Sequence, residues 1–115
     1  DRNLVIYDQA GNAVWNTHTN LSDLRLKKDL APVTGGLEKL LSLRGVFFSW
    51  NDESLGTERE IGVIAQEVEQ VFPELVTTLT ERKFVNTVGL IPVLIEAIKE
   101  QQAQIAELRN SITTS

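Results

Sequence analysis

The chain contains 115 residues, of which 42% are hydrophobic and 23% are charged, and this composition is typical of a globular domain rather than of a disordered segment. Sixteen acidic and eleven basic side chains give a formal net charge of −5, which opposes binding to nucleic acid backbones and to anionic membranes. The chain has no cysteine and one histidine, so disulfides, thiolate zinc sites and histidine-rich metal sites are excluded. A metal site would need oxygen ligands alone. We expect no metal or other cofactor, no nucleic acid partner and no membrane partner.

The length of the chain allows one compact core with an appendage, but not two full cores. The sequence starts at Asp1 and contains no methionine, so we expect a piece of a longer protein whose N-terminal neighbours are missing. No apolar run approaches the roughly 18 residues that a membrane span needs, and no secretory signal segment is recognisable.

The N-terminal segment has the pattern of a β-hairpin. Residues 3–7 (NLVIY) and 13–17 (AVWNT) are rich in β-branched and aromatic side chains, and residues 8–12 between them have turn composition. A lone hairpin is marginally stable in water. We therefore expect this segment to be an appendage that depends on other chains or on the missing upstream residues.

Between residues 33 and 90 the pattern changes every few residues, which predicts short elements of both kinds and an α+β fold. In chain order, the predicted elements are a helix over 37–43, a hairpin of strands 46–50 and 60–64, a helix over 65–72 that ends at Pro73, and a hairpin of strands 76–80 and 83–86.

The C-terminal segment, residues 90–112, has the spacing of a coiled-coil helix, with isoleucine at every a position. Isoleucine at a with leucine at d mildly favours two parallel strands, and a glutamine within the apolar face lowers stability and helps to fix the register. Because the other faces are polar, the helix needs a partner along one apolar stripe, the seam. The seam comprises Ile91, Leu94, Ile98, Gln101, Ile105, Leu108 and Ile112.

Residues 20–33 (NLSDLRLKKDLAPV) allow two interpretations of Ser22. A serine before a charged, leucine-bearing run is typical of a helix N-cap, and spacing alone favours this reading. A serine hydroxyl is also a nucleophile when a neutral lysine amine removes its proton. Lys27 is the candidate base, and repulsion from the adjacent Lys28 would help neutralisation slightly if both amines were partly desolvated.

Several blocks of the sequence carry a family resemblance. SDLRLK at residues 22–27, LEKLLSLRGVFFSW, EIGVIAQEVEQVFPELV and GLIPVLIEAIKEQ occur in this order. Together they resemble the self-cleaving intramolecular chaperone domain of phage tail fibres and tailspikes, the endosialidase-type C-terminal chaperone.

The resemblance implies a function and a set of site residues. It implies a homotrimer that guides the folding of the upstream tail-fibre β-structure, its client, and that is then released by autoproteolysis of the Leu21–Ser22 bond. In this single-turnover serine peptidase, Ser22 is the nucleophile, Lys27 is the general base, and Asp23 and Arg25 are supporting residues of the motif. The implied trimer overrides the mild dimer preference of the seam, because the match covers most of the chain.

The resemblance also implies a domain division and a location. Residues 1–21 would be the C-terminal end of the upstream β-structure, and residues 22–115 would be the chaperone and autopeptidase domain, with its coiled coil over 90–112. The chaperone would act in the host cytoplasm during phage assembly, and the mature fibre would remain in the virion tail for host-cell attachment.

An alternative function is a non-catalytic, trimeric receptor-binding fibre tip. Asp1, Asn3, Val5 and Tyr7 are spaced as in the mannose-binding motif of bulb-type lectins. This faint resemblance predicts a host surface glycan as a further partner.

Overall fold

The computed structural model describes residues 5–7, 13–16 and 21–114. The chain divides into two compact units, Asp1–Pro32 and Val33–Ser115. Helices and strands both occur, and a long helix ends the chain, so the predicted α+β fold class is confirmed. The predicted boundary after Leu21 is a cleavage site, whereas the two units are defined by their internal contacts. The predicted boundary therefore stays a prediction. No helix of the described part is long and apolar enough to cross a membrane.

The first unit contains a short antiparallel hairpin and a 3-10 turn. Strand β1 (Val5–Tyr7) pairs with strand β2 (Ala13–Asn16), and the register shifts once, between Ile6 and Tyr7. The predicted strands are therefore confirmed, whereas their predicted turn lies outside the described residues. The 3-10 turn spans Leu24–Leu26 and belongs to the candidate site.

The second unit contains the other two predicted hairpins. Strand β3 (Val46–Phe48) pairs antiparallel with β4 (Glu60–Gly62), and β5 (Val76–Leu79) pairs antiparallel with β6 (Arg82–Val85). Strands β3, β4 and β5 are one or two residues shorter than predicted, whereas β6 has the predicted length and begins one residue earlier.

The β5–β6 hairpin turns through Thr80 and Glu81, whose φ angles are 47° and 62°. Left-handed φ at both central residues is typical of the two-residue turn that matches strand twist, and glycine or asparagine is preferred there. A side chain with a Cβ costs about 1–2 kcal/mol in this conformation, so this turn is strained.

Replacing Glu81 by glycine should therefore stabilise the protein. We expect Glu81→Gly to raise the free energy of unfolding by about 0.5–1 kcal/mol, since relief of the left-handed strain exceeds the entropy cost of glycine. Thermal unfolding at fixed protein concentration measures the effect. Glu58→Gly is the matched control, because φ is not positive at Glu58. If both variants lose stability equally, the turn is not strained.

The helices of the second unit are α1 (Gly36–Leu41), α2 (Ala65–Val71) and α3 (Leu90–Thr114). They confirm the predicted helices to within one or two residues. Helix α1 follows Gly35, whose φ of 70° is a left-handed conformation that glycine adopts without a Cβ clash.

A small apolar core joins α2 to the first turns of α3. Val68 on α2 is fully buried, Phe72 is 6% exposed, and Leu90, Val93 and Ala97 of α3 are buried as well. The helical spacing of Ala65, Val68, Val71 and Phe72 places these four residues on one face of α2, and of the four Val68 and Phe72 are buried. Helix α3 therefore has two apolar faces, one for this core and one along the seam.

Helix α1 packs closely against α3 at Gly36. A Cβ on Gly36 would lie 2.8 Å from Val93 Cγ1 and 3.6 Å from the Val93 carbonyl oxygen. Valine is stiff at χ1, so it yields little. The close approach of the two helices therefore depends on a glycine at position 36.

The Gly36→Ala variant should be destabilised. We expect a loss of about 1–3 kcal/mol, the usual cost of forcing an extra methyl group into packed surroundings, although alanine is the better helix former. Denaturant unfolding measures it. Gly45→Ala is the matched control, because a Cβ there meets no atom within 4 Å and the change should stay within about 0.5 kcal/mol. Equal stability of the two variants would contradict the packing argument.

Candidate functional site

The candidate site is a contact between the two side chains that the sequence motif nominates. Lys27 Nζ donates a hydrogen bond to Ser22 Oγ over 2.6 Å, across five residues of sequence. Both residues are exposed. The contact joins a hydroxyl oxygen to an amine nitrogen, and a proton can pass between these two atoms directly.

The 3-10 turn at Leu24–Leu26 explains how Lys27 returns to Ser22. The Leu26 N–H donates to the Asp23 carbonyl over 3.0 Å, and the Lys27 N–H donates to the Leu24 carbonyl over 3.1 Å. These bonds fold the backbone so that position 27 is brought back toward position 22. A fully extended segment of the same length would separate the two ends by roughly 17 Å.

Side-chain hydrogen bonds between Asp23 and Arg25 also stabilise the turn. The Asp23 carboxylate accepts the Arg25 backbone N–H over 2.9 Å. Arg25 Nε donates to Asp23 Oδ1 over 3.1 Å and to Oδ2 over 3.3 Å, and Arg25 Nη2 donates to Oδ2 over 2.7 Å. These bonds from Arg25 hold the pKa of Asp23 below its usual value, and the same carboxylate raises the pKa of Arg25.

The interpretation of Ser22 as a helix N-cap is wrong. Asp23 occupies the N-cap of the 3-10 turn, with extended backbone angles and its side chain on the Arg25 N–H. The shorter turn and the charge of the carboxylate favour the aspartate, one residue further on. Ser22 Oγ is therefore available to Lys27.

The acidic residues of α2 form ion pairs with residues of other elements. Glu67 pairs with Arg44 at 2.9 Å, and Glu69 pairs with Lys83 at 3.0 Å. The partners come from other elements, 23 and 14 residues away, so no local spacing could have found them. Among residues 21–114 no three potential metal ligands come together.

Comparison with known proteins adds a family. Residues 22–77 match a peptidase family described as "Chaperone of endosialidase". Residues 22–77 therefore carry the sequence features of a chaperone of endosialidase domain. The family match begins at Ser22, the residue that Lys27 contacts, and it confirms the family resemblance of the sequence.

The chain is also similar to phage tail fibre proteins. It is 32% identical over 99 residues to the long tail fiber protein Gp37 of Enterobacteria phage K3, covering 79% of this chain and 8% of that protein. It is also 32% identical over 115 residues to the Gp37 protein of Enterobacteria phage M1, covering 90% of this chain and 45% of that protein. The chain thus spans less than half the length of either relative.

The lectin-like motif comprises Asp1, Asn3, Val5 and Tyr7. Asp1 and Asn3 lie outside the described residues, and the motif stays a prediction.

Proposed function

We propose that this chain is the C-terminal intramolecular chaperone of a phage tail fibre, which trimerises, guides folding of the fibre and is released by autoproteolysis between Leu21 and Ser22. The observation that carries the proposal is the hydrogen bond of 2.6 Å between Lys27 Nζ and Ser22 Oγ, at the first residue of the family match. The similarity to long tail fibre proteins supports a tail fibre as the protein whose folding the chaperone guides.

The cleavage proceeds in two steps. Ser22 Oγ attacks the Leu21 carbonyl carbon while its proton passes to the neutral amine of Lys27. The bond from that carbon to the Ser22 nitrogen then breaks, and Lys27 returns the proton to this nitrogen, which leaves an ester between Leu21 and Ser22. Water attacks the ester with Lys27 again as base, and the products are a Leu21 carboxylate and a restored Ser22 hydroxyl.

Proximity favours this reaction. The nucleophile belongs to the residue that supplies the leaving nitrogen, so Ser22 Oγ is within reach of the Leu21 carbonyl at no entropic cost of bringing two reactants together. A lysine ammonium has no lone pair, so Lys27 acts as base only in its neutral form.

The seam supports association of three chains. Its residues on α3 are exposed in the single chain, with Ile98 at 63%, and exposed apolar area of this extent indicates an interface. Ile95, at position e beside the seam, is also exposed. An apolar face that includes e is wider than the a/d stripe of a two-stranded coil, which favours three chains over two.

A trimeriser solves a kinetic difficulty of fibre folding. Non-local β pairing between chains is slow, because the entropy of closing long loops is lost before the contacts form, and unpaired strand edges meanwhile invite aggregation. A coiled coil raises the local concentration of three chain ends and sets their register. Release afterwards makes the fold kinetically trapped, because the element that assisted folding is gone.

The proposed function implies where the chaperone acts and which proteins it binds. The chaperone acts on its own copies and on the upstream β-structure in the host cytoplasm during phage assembly. After cleavage the fibre stays in the virion tail, and residues 22–115 are released.

Intact mass spectrometry tests the proposal. We expect purified chain with an N-terminal tag to split into tagged residues 1–21 and a fragment of residues 22–115. The Ser22→Ala variant, which lacks the nucleophile, should stay whole and keep the same circular dichroism spectrum and sedimentation coefficient.

Two results would contradict the proposal. A wild-type chain that forms a folded trimer and stays whole at Leu21–Ser22 rules out the autoproteolysis. A chain that sediments entirely as monomer at micromolar concentration rules out the trimeric chaperone.

A further inference from the structure

The 3-10 turn that carries the Ser22–Lys27 contact has little packing to hold it. None of residues 22–32, all of which the structure describes, is buried. Three residues of 3-10 helix have few backbone bonds of their own, and such turns are not stable in isolation. The turn must therefore be held by local side-chain interactions.

The ion pair of Asp23 and Arg25 is the interaction that spans the turn. Arg25 Nε donates to both oxygens of the Asp23 carboxylate and Arg25 Nη2 donates to one of them, and this multiple contact fixes direction as well as distance. The same carboxylate caps the turn by accepting the Arg25 backbone N–H. The pair thus restrains both the backbone and the side chains of the turn that ends at Lys27.

The groups of the pair are already engaged with each other. Both Asp23 oxygens accept bonds from Arg25, and two Arg25 nitrogens are used for them. Neither residue contacts Ser22 or Lys27 through the bonds that define the pair. An effect of the pair on cleavage would therefore pass through the geometry of the turn rather than through contact with the reacting atoms.

We propose that Asp23 and Arg25 are positioning residues, whose ion pair holds the turn so that Lys27 Nζ stays within hydrogen-bond distance of Ser22 Oγ. This inference rests on the proposed autoproteolysis. A four-carbon lysine side chain is flexible, so without the pair Lys27 visits Ser22 only part of the time. Misplacement of a catalytic group by about 1 Å can cost on the order of 100-fold in rate.

A double-mutant cycle tests the proposal. The variants are Asp23→Asn, Arg25→Gln and the two together, with cleavage at Leu21–Ser22 followed by intact mass across a range of pH. We expect each single variant to cleave about 10- to 100-fold more slowly at its maximal rate. We expect the double variant to be no slower than the slower single variant, because either change alone already breaks the pair.

The pH profile separates positioning from an electrostatic effect. The two neutral amides of the double variant together carry the same net charge as the ion pair. The pH at which this variant reaches half its maximal rate should therefore equal that of wild type, while its maximal rate stays low. If the double variant recovers the wild-type rate, the pair acts through its charges, and the positioning role is overturned. If the two effects multiply in the double variant, one residue acts directly on the reacting atoms, which also overturns it.

Controls separate this inference from the function on which it rests. Lys28→Gln removes a neighbouring cation outside the pair. Lys27 and Lys28 are both exposed, so solvent screens the repulsion between them, and this variant should cleave at the wild-type rate. Arg25→Lys keeps the charge but loses the two-nitrogen fork, and its rate should lie between wild type and Arg25→Gln. All variants should match wild type in thermal unfolding and sedimentation, because neither residue of the pair belongs to the apolar core. A fall in either measurement shows a structural role instead. A wild-type chain that does not cleave overturns the proposed function itself, whereas a cleaving double variant at wild-type rate overturns only the positioning role.

Discussion

Replacing Lys27 by arginine will reduce the rate of cleavage at Leu21–Ser22 by about 100- to 10,000-fold, which is the usual contribution of a general base. Lys27 is the basic side chain that contacts Ser22 Oγ, at 2.6 Å. Arginine keeps the positive charge and much of the length, but its guanidinium does not give up a proton in proteins. The substitution therefore removes the base and retains the cation.

The measurement is the rate at which whole chain disappears by intact mass, over hours to days after folding. Lys27→Ala should be as slow as Lys27→Arg, because both lack a base. Lys28→Ala is the matched control, since it removes the adjacent lysine and leaves the contact with Ser22. A Lys27→Arg chain that splits as fast as wild type would show that another group takes the Ser22 proton.

Much of the fold follows from periodicity in the sequence. The step of three and four residues predicts α2 and α3, and short runs of β-branched and aromatic residues beside turn residues predict the three hairpins. Burial of Val68 and Phe72 on one face of α2 follows from the same spacing. These features are local, so they are visible without knowledge of the neighbouring elements.

The features that sequence reasoning missed depend on distant partners. The pairs Arg44–Glu67 and Lys83–Glu69 form only when separate elements have packed. The second apolar face of α3 was hidden for the same reason, because Val93 and Ala97 fall outside the heptad stripe and their burial depends on α1 and α2.

The candidate site contains features that the sequence predicts and features that depend on the folded backbone. The spacing of Ser22 and Lys27 nominates the pair only together with the family resemblance, since serine and lysine are common. Asp23, rather than Ser22, caps the segment because a 3-10 turn forms there. A segment of three residues is too short to show a periodic pattern, so the sequence does not predict this turn. The fork between Asp23 and Arg25 depends in turn on that backbone, so it could not be derived from the motif.

Replacing Ile98 by aspartate will convert the assembled chain into monomers at micromolar concentration. Ile98 occupies an a position near the middle of α3 and is 63% exposed in the single chain. In a coiled coil the substitution would bury one carboxylate per chain against its symmetry mates, and burial of unpaired like charges costs several kcal/mol per group. The fold of each chain should persist, because the seam does not belong to the core of α2 and α3.

Sedimentation equilibrium measures the change, and far-UV circular dichroism should retain the signal of the short elements, since their core is unchanged. The matched control is Ala103→Asp, which adds the same charge to the same helix at position f, opposite the seam, where the side chain is exposed. Because a carboxylate at f stays in water in a two- or three-stranded coil, this variant should assemble as wild type does. If the two variants dissociate equally, charge repulsion along the whole helix rather than burial of the seam governs assembly. If Ile98→Asp stays fully assembled, the seam is not the interface, and the trimerisation on which the chaperone role depends must use another surface.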